Sequence, residues 1–395
     1  MTRLWTDPAD IAAQVHGVWA KGRILAANVS GTQLFPLALR LRRPDPKDLG
    51  ERFDAVRQWI RALEDSARER RGFGYEIEWV EINHRQLGRN RIPAGVIVPN
   101  EDDALQMIGK RRDAAHFAEI LVSTRVSFPE LTAWLARKPF VALDNAGDWQ
   151  RILGVLAWFR DHPRSGLYLR QLDIANVDTK FIERRKPLLS ELLDIVLERP
   201  ARSEPAAAQT FEERYGLLGK PPLVRFRVLD AKLAISGLID LSIPAAQFAA
   251  LTVPARRIFI TENEVNGLAF PELSDSIVVF GLGYGIELLG RARWMTECEL
   301  IYWGDIDTHG LAMLDRLRAS FPACRSLLMD RDTLLAHRLL WVREASPIHG
   351  PLTRLNHDER ALFDDLVHDR LGTQVRLEQE RIAFGRVKQA LQALP

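Results

Sequence analysis

Three short apolar runs between residues 256 and 320 constrain this chain most, because each stops at acids or glycines just before a helix-like stretch. RRIFITENEVNGLAF ends its apolar run on Glu262 and Glu264. SIVVFGLGYG ends on Gly281, Gly283 and Gly285, and ELIYWGDIDTHGLAMLDRLRAS ends on Asp305 and Asp307. The runs are rich in Ile, Val, Phe and Tyr, so they read as strands. Strand–loop–helix repeated in this way predicts a parallel α/β sheet with helices on its faces. In such sheets functional groups collect beyond the carboxyl ends of the strands, which is where these acids stand.

A chain of 395 residues exceeds what one compact core organises and predicts two or three domains. Its formal net charge of +2 gives no whole-molecule attraction for nucleic acid, so an anionic partner must meet a local basic surface. Cys298 and Cys324 have no metal-ligand spacing and form no disulfide framework, which fits a reducing cytoplasm. The N-terminus carries acids early and lacks the apolar core of a signal peptide. No run approaches the roughly 20 apolar residues of a membrane span. A soluble cytoplasmic protein without membrane contact is the expectation.

Residues 1–163 read as a mixed, mostly helical region. Thr6 or Asp7 caps a first helix that Gly22 stops, and Phe53, Val56, Trp59, Ile60 and Leu63 form a helical stripe. YEIEWVEIN alternates with period two and predicts a half-buried strand. Basic clusters at Arg40–Arg43, Arg68–Arg71 and Lys110–Arg112 are either phosphate contacts or solvated helix faces. Residues 164–245 read as a second unit: a turn at Ile174–Val177, then a helix capped by Asp178 or Thr179. That helix leads with Lys180, Arg184, Arg185 and Lys186 over an apolar stripe. This is what a helix–turn–helix DNA reader offers, and also what a generic two-helix packing unit looks like. A polar loop over 198–209 and the strand candidates VRFRVLD and GLIDLSI follow. Beyond Ser320, RSLLMD predicts a further strand, and Asn356 with Glu359 forms a capping-box start.

Two chemistries fit the acids. A dinucleotide site would use Gly281, Gly283 and Gly285 with Asp305 downstream, but Ile286 stands where the third glycine of G-x-G-x-x-G belongs. A divalent-metal site would use Glu262, Asp305 and Asp307, whose charges cannot crowd together without a cation. Hard oxygen donors of this kind suit Mg2+ or Mn2+, ions that work on phosphates.

The series TEN-E, G-L-G-Y-G and D-I-D-T-H-G resembles the Toprim domain of type IIB topoisomerase A subunits and related nucleases. RSGLYLRQLDIANVDTKFIE (164–183), ERYGL with VRFRVLD (213–230) and RLEQERI (376–382) extend the likeness to JetD, the nuclease subunits of bacterial Wadjet anti-plasmid systems. The resemblance implies a homodimer with an N-terminal arm region (1–163), a winged-helix-like domain (164–245) and a Toprim domain with C-terminal extension (246–395). It implies Mg2+ or Mn2+ on Glu262, Asp305 and Asp307, with Glu264 as a further catalytic participant. It also implies SMC, kleisin and kite-type partners that extrude DNA loops and present closed circular plasmid for double-strand cleavage. DNA contacts are expected from Lys180, Arg184 and Arg185.

The related topoisomerases cut through a tyrosine. Of Tyr75, Tyr168, Tyr215, Tyr284 and Tyr302, Tyr168 alone lies near the place such a nucleophile would occupy. Its neighbourhood, RSGLYLRQ, lacks the paired tyrosines and Arg-Asp of those enzymes. Hydrolysis by metal-activated water is therefore the expected chemistry. A covalent Tyr168 intermediate and a non-catalytic DNA-binding adaptor are the alternatives. His309 is expected at the following helix start, as its cap or as a phosphate contact.

Overall fold

The computed structural model describes residues 5–84, 88–198 and 210–394, so the loop expected over 198–209 lies, apart from its first residue, outside them. The chain divides into two compact units, Met1–Gly219 and Lys220–Pro395. The stretch 164–245, expected as one domain, is shared between them.

The first unit is mostly helical with one small sheet. Asp7 accepts from the Asp10 amide and caps the helix Pro8–Ala20, while Gly22 leaves it in the left-handed region. Strands β1 (Leu37–Leu39), β2 (Glu76–His84) and β3 (Gly88–Val98) pair antiparallel in the order β1-β3-β2. The period-two strand is thus β2. Val56, Trp59 and Leu63 of the helix Phe53–Ser66 pack against Tyr75, Val96 and Val98. A second core gathers Trp134, Trp149, Phe159, Leu189, Leu192 and Tyr215. Trp134 and Trp149 stack in it with centroids 6.1 Å apart. The helix Thr179–Val196 enters this core through Phe181, Ile182 and Leu189, with Asp178 accepting from the Phe181 amide as its cap.

The second unit is α/β. Its sheet contains β4 (Leu223–Val228), β5 (Asp240–Pro244), β6 (Arg257–Thr261), β7 (Ser276–Phe280), β8 (Glu299–Trp303) and β9 (Arg325–Ser326), in the order β5-β4-β7-β6-β8-β9. From β7 to β9 the pairing is parallel, as the three apolar runs imply. β4 and β5 pair antiparallel and add to the β7 edge, so the sheet is mixed rather than wholly parallel. These two strands, expected with the preceding domain, belong to this unit because Val224, Phe226 and Val228 share its core. β7 is buried at every position, and β6 and β8 nearly so, as strands covered on both faces must be. Helices Glu264–Ala269 and Thr308–Ser320 and a 3-10 segment Gly283–Arg291 follow the three runs. Asn356 and Glu359 form the expected capping box of the helix His357–Val367. A small ribbon of β10 (Val342–Arg343) and β11 (Val375–Arg376) brings the tail back to the sheet. Among the described residues no helix is long and apolar enough to cross a membrane.

Candidate active site

β6 and β8 are parallel neighbours with Thr261 opposite Trp303, so their next residues emerge side by side at the carboxyl edge. Glu262 leaves β6, and Gly304, Asp305 and Asp307 leave β8. Asp307 then turns its carboxylate onto the helix it begins, accepting from the Gly310 amide at 2.7 Å. Gly304 is required by its close surroundings: a Cβ there would lie 2.8 Å from Glu262 Oε1 and 2.5 Å from the Tyr302 hydroxyl. Tyr302, fully buried in β8, donates its hydroxyl to Glu262 Oε1.

The third wall is the tail. Leu377 and Ile306 exchange backbone hydrogen bonds at 2.9 and 3.1 Å, which lays residues 376–381 along the exit of β8. The Gln379 amide donates to Asp305 Oδ1 at 2.8 Å. The buried Gln379 side chain donates to the Trp303 carbonyl and accepts from Thr261 at 3.1 Å and Asn266 at 2.9 Å. One glutamine therefore ties both acid-bearing strands to the tail. Asn263 caps the helix Glu264–Ala269 and donates to Glu380. Arg376 places Nη2 2.6 Å from Asp305 Oδ2 and Nε 3.2 Å from Asp307 Oδ2.

Burial dominates the electrostatics, and the crowding of acids adds to it. Burial raises the Glu262 carboxyl to about 7, and Asp305 and Asp307 push the same way, while the Tyr302 hydroxyl and Arg376 oppose it. Asp307 rises to about 6, chiefly by burial, with Glu344 and Asp305 adding and the Gly310 amide opposing. Burial and the adjacent Glu262 hold the Tyr302 phenol far above its usual range.

Glu262, Asp305 and Asp307 are thus brought together. Glu264 is not: it is exposed and pairs with Arg225, which also forks onto Asp240 at 2.9 and 3.1 Å. His309 does not cap its helix. Its Nε2 lies 2.8 Å from the Ser346 carbonyl, and the cap is Asp307. Glu344, buried, accepts from the Thr308 hydroxyl at 2.6 Å and braces the same helix start. Arg376, Gln379 and Glu344 were not singled out from the sequence, and Tyr302 was weighed only as a nucleophile. The tail's R-L-E-Q-E-R string, polar where a docked segment would be apolar, was the signal available for two of them.

Of the candidate DNA-binding residues, Lys180 and Arg184 are exposed at the front of their helix. Arg185 is occupied: it lies 4.2 Å over the Phe181 ring, which Arg151 also approaches at 4.0 Å, and pairs with Asp148. Two of the other basic clusters, Arg68–Arg71 and Lys110–Arg112, are partly neutralised within the first unit. Arg68 meets Asp103 at 2.9 Å, Arg70 meets Asp65 at 2.7 Å and Lys110 meets Asp113 at 2.6 Å.

Among the described residues no three His, Cys, Asp or Glu side chains stand ready as a metal cage. The cation between the aspartates is Arg376. The arrangement is nonetheless an all-oxygen acid cluster at strand ends, with one oxygen of Asp305 and one of Asp307 fixed by a backbone amide and another facing a positive charge.

Two family models match the chain. Residues 216–391 match the one described as "Wadjet protein JetD, C-terminal", which spans the whole site, tail included. Residues 8–194 match one described as "Uncharacterized protein conserved in bacteria N-term (DUF3322)". No curated protein matches the chain.

Proposed function

The chain belongs to the JetD family of Wadjet proteins, and on that premise we propose that it is the DNA-cutting subunit of an anti-plasmid defence system. In this reading it is a divalent-metal-dependent endonuclease that cleaves closed circular plasmid DNA by hydrolysis. The observation that carries it is the convergence of Glu262, Asp305 and Asp307 beyond the adjacent parallel strands β6 and β8, inside the matched C-terminal region.

The donors fit Mg2+ or Mn2+ in kind. They are hard oxygens only, and the burial that chiefly raises Glu262 and Asp307, with the repulsion of neighbouring acids added to it, is what a bound cation offsets. Glu262, Asp305 and Asp307 would hold the ion, which when bound supplies positive charge to the scissile phosphate and lowers the pKa of water. The protein's own part is positioning. Tyr302 orients Glu262, Gln379 orients Asp305, and the Gly310 amide orients Asp307.

Attack by Tyr302 is disfavoured because its hydroxyl is buried and already donated to Glu262. Tyr75 and Tyr215 are buried and hydrogen-bonded as well. Tyr168, 44% exposed, keeps the covalent route as the second reading. The proposal includes a Toprim arrangement for the C-terminal unit, a winged-helix-like role for the region around the helix Thr179–Val196, and a homodimer. It also includes SMC, kleisin and kite-type partners that present the plasmid in the cytoplasm, with Lys180 and Arg184 touching DNA.

The test is plasmid cleavage with the partner complex, with and without Mg2+ or Mn2+, by wild type, Asp305→Ala and Tyr168→Phe. Metal-dependent cutting lost in Asp305→Ala and kept in Tyr168→Phe is expected. Cutting that survives Asp305→Ala sinks the acid-site reading. Loss in Tyr168→Phe, together with protein attached to DNA ends in wild type, moves the chemistry to the covalent route.

A further inference from the structure

Arg376 takes the oxygens that a metal would need. Asp305 gives Oδ1 to the Gln379 amide and turns Oδ2 to Arg376 Nη2 at 2.6 Å. Asp307 gives Oδ1 to the Gly310 amide and faces Arg376 Nε with Oδ2 at 3.2 Å. The same Nη2 lies 3.7 Å from Glu378 Oε1. The guanidinium is therefore shared among three carboxylates instead of docked fork-on-fork against one, the geometry in which such pairs bind best. Its Nε is buried and, although close enough to Asp307 to pair charges, is not aligned to donate a hydrogen bond. A buried donor left in that condition marks an interaction short of its best energy. The side chain retains 35% exposure, so it has a way out to solvent. Its backbone is held independently, through β10 and the Leu377–Ile306 bridge.

We propose that Arg376 is a tethered counter-cation: it holds the Asp305–Asp307 pair assembled when no metal is bound, and a divalent cation must displace it to bind. The inference rests on the metal-site reading above. It makes Arg376 a positioning residue of the empty state, not a ligand and not a nucleophile. A cation restricted to molecules in which Arg376 has left binds with an apparent affinity reduced by the fraction in that state. Removing the guanidinium removes that penalty and, in the absence of metal, leaves the acids repelling one another.

The test uses the intact chain and two readouts that need no cleavage: Mn2+ affinity by titration calorimetry, and melting temperature in chelator and in Mn2+. Arg376→Gln is expected to bind Mn2+ about tenfold tighter than wild type. It is also expected to melt lower than wild type in chelator and to gain more from Mn2+. Arg376→Lys, a point charge that cannot span both aspartates, is expected between the two and carries the comparison if Arg376→Gln does not fold. Equal affinity in all three, with binding lost in Asp305→Ala, overturns the inference and leaves the metal site standing. Weaker binding on removal of the guanidinium overturns it too, since Arg376 would then support the metal. No Mn2+ binding by any form, wild type included, overturns the inference and the metal reading together.

Discussion

The backbone amide of Gln379 donates to Oδ1 of Asp305 at 2.8 Å across 74 positions of sequence, so the tail holds the first acid of the D-x-D pair. The Gln379 side chain adds hydrogen bonds to Trp303, Thr261 and Asn266. Truncation to alanine leaves those buried groups unpaired, which costs about 1–3 kcal/mol for each group orphaned. Gln379→Ala is expected to lower the denaturant midpoint and to lose cleavage more steeply than its loss of stability explains. An unchanged midpoint would contradict the hub.

The Tyr302 hydroxyl orients Glu262 from a fully buried position. Partners of this outer kind typically carry about 10- to 100-fold in metal affinity or activity. Tyr302→Phe keeps the ring that fills the core, so the variant is expected to fold normally and cut that much more slowly. Full activity would show that Glu262 needs no such support.

The two glutamates of TEN-E are separable. Glu262→Gln is expected to abolish cleavage. Glu264→Gln is expected to retain most of it, because Glu264 is exposed and pairs with Arg225 away from the aspartates. Equal loss in both would return Glu264 to the catalytic set.

Lys180 and Arg184 are exposed, whereas Arg185 is stacked on Phe181 and paired with Asp148. Replacing Lys180 and Arg184 with alanine is expected to weaken DNA binding uniformly across sequences. The log–log salt slope should flatten by about 0.9 for each phosphate no longer neutralised. Arg185→Ala is expected to lower stability instead, through poorer packing on Phe181 and the loss of one of the two arginines, Arg151 and Arg185, that pair with Asp148. Fluorescence anisotropy at several salt concentrations, with a parallel denaturation series, distinguishes the two.

Between the helices Thr308–Ser320 and His357–Val367, Arg318 and Glu359 form a buried pair, with Arg318 Nη2 3.0 Å from Oε1 and Ser326 donating at 2.7 Å. Burial pushes the Glu359 carboxyl up. Arg318, the Asn356 amide and Ser326 outweigh it, and the group ends below its ordinary 4.5. A carboxyl lowered by folding stabilises above its unfolded pKa, and that stabilisation is lost as pH falls through the folded value. Glu359→Gln leaves a buried guanidinium unpaired and is expected to cost about 3–5 kcal/mol near neutrality. The gap between variant and wild type should shrink as the pH falls below the ordinary carboxylate range and through the lowered value of Glu359. A gap that stays constant would contradict the pair's role.

Much of the second unit was legible because its signals are local. Each apolar run is a wholly or almost wholly buried strand, and the acids and glycines that punctuate the runs fall at their ends. Asp7, Asp178 and Asn356 announce their helices through hydrogen bonds within a single turn. Membership of β4 and β5 in this sheet was not legible, since antiparallel pairing of β4 with β7 joins segments far apart in sequence. Nor was the commitment of Arg185, whose neighbours Asp148 and Arg151 come from another helix and its approach.

The same division runs through the site. By itself, the sequence determined that Glu262, Asp305 and Asp307 stand at strand ends, because strand period and turn chemistry act over a few residues. Only the tertiary structure decided what faces them. Arg376 and Gln379 reach Asp305 across 71 and 74 positions, brought there by the β10–β11 ribbon and the Leu377–Ile306 bridge. No local periodicity encodes such a meeting. It follows from docking the tail on the sheet, and that docking sets a guanidinium among acids that, read alone, call for a metal.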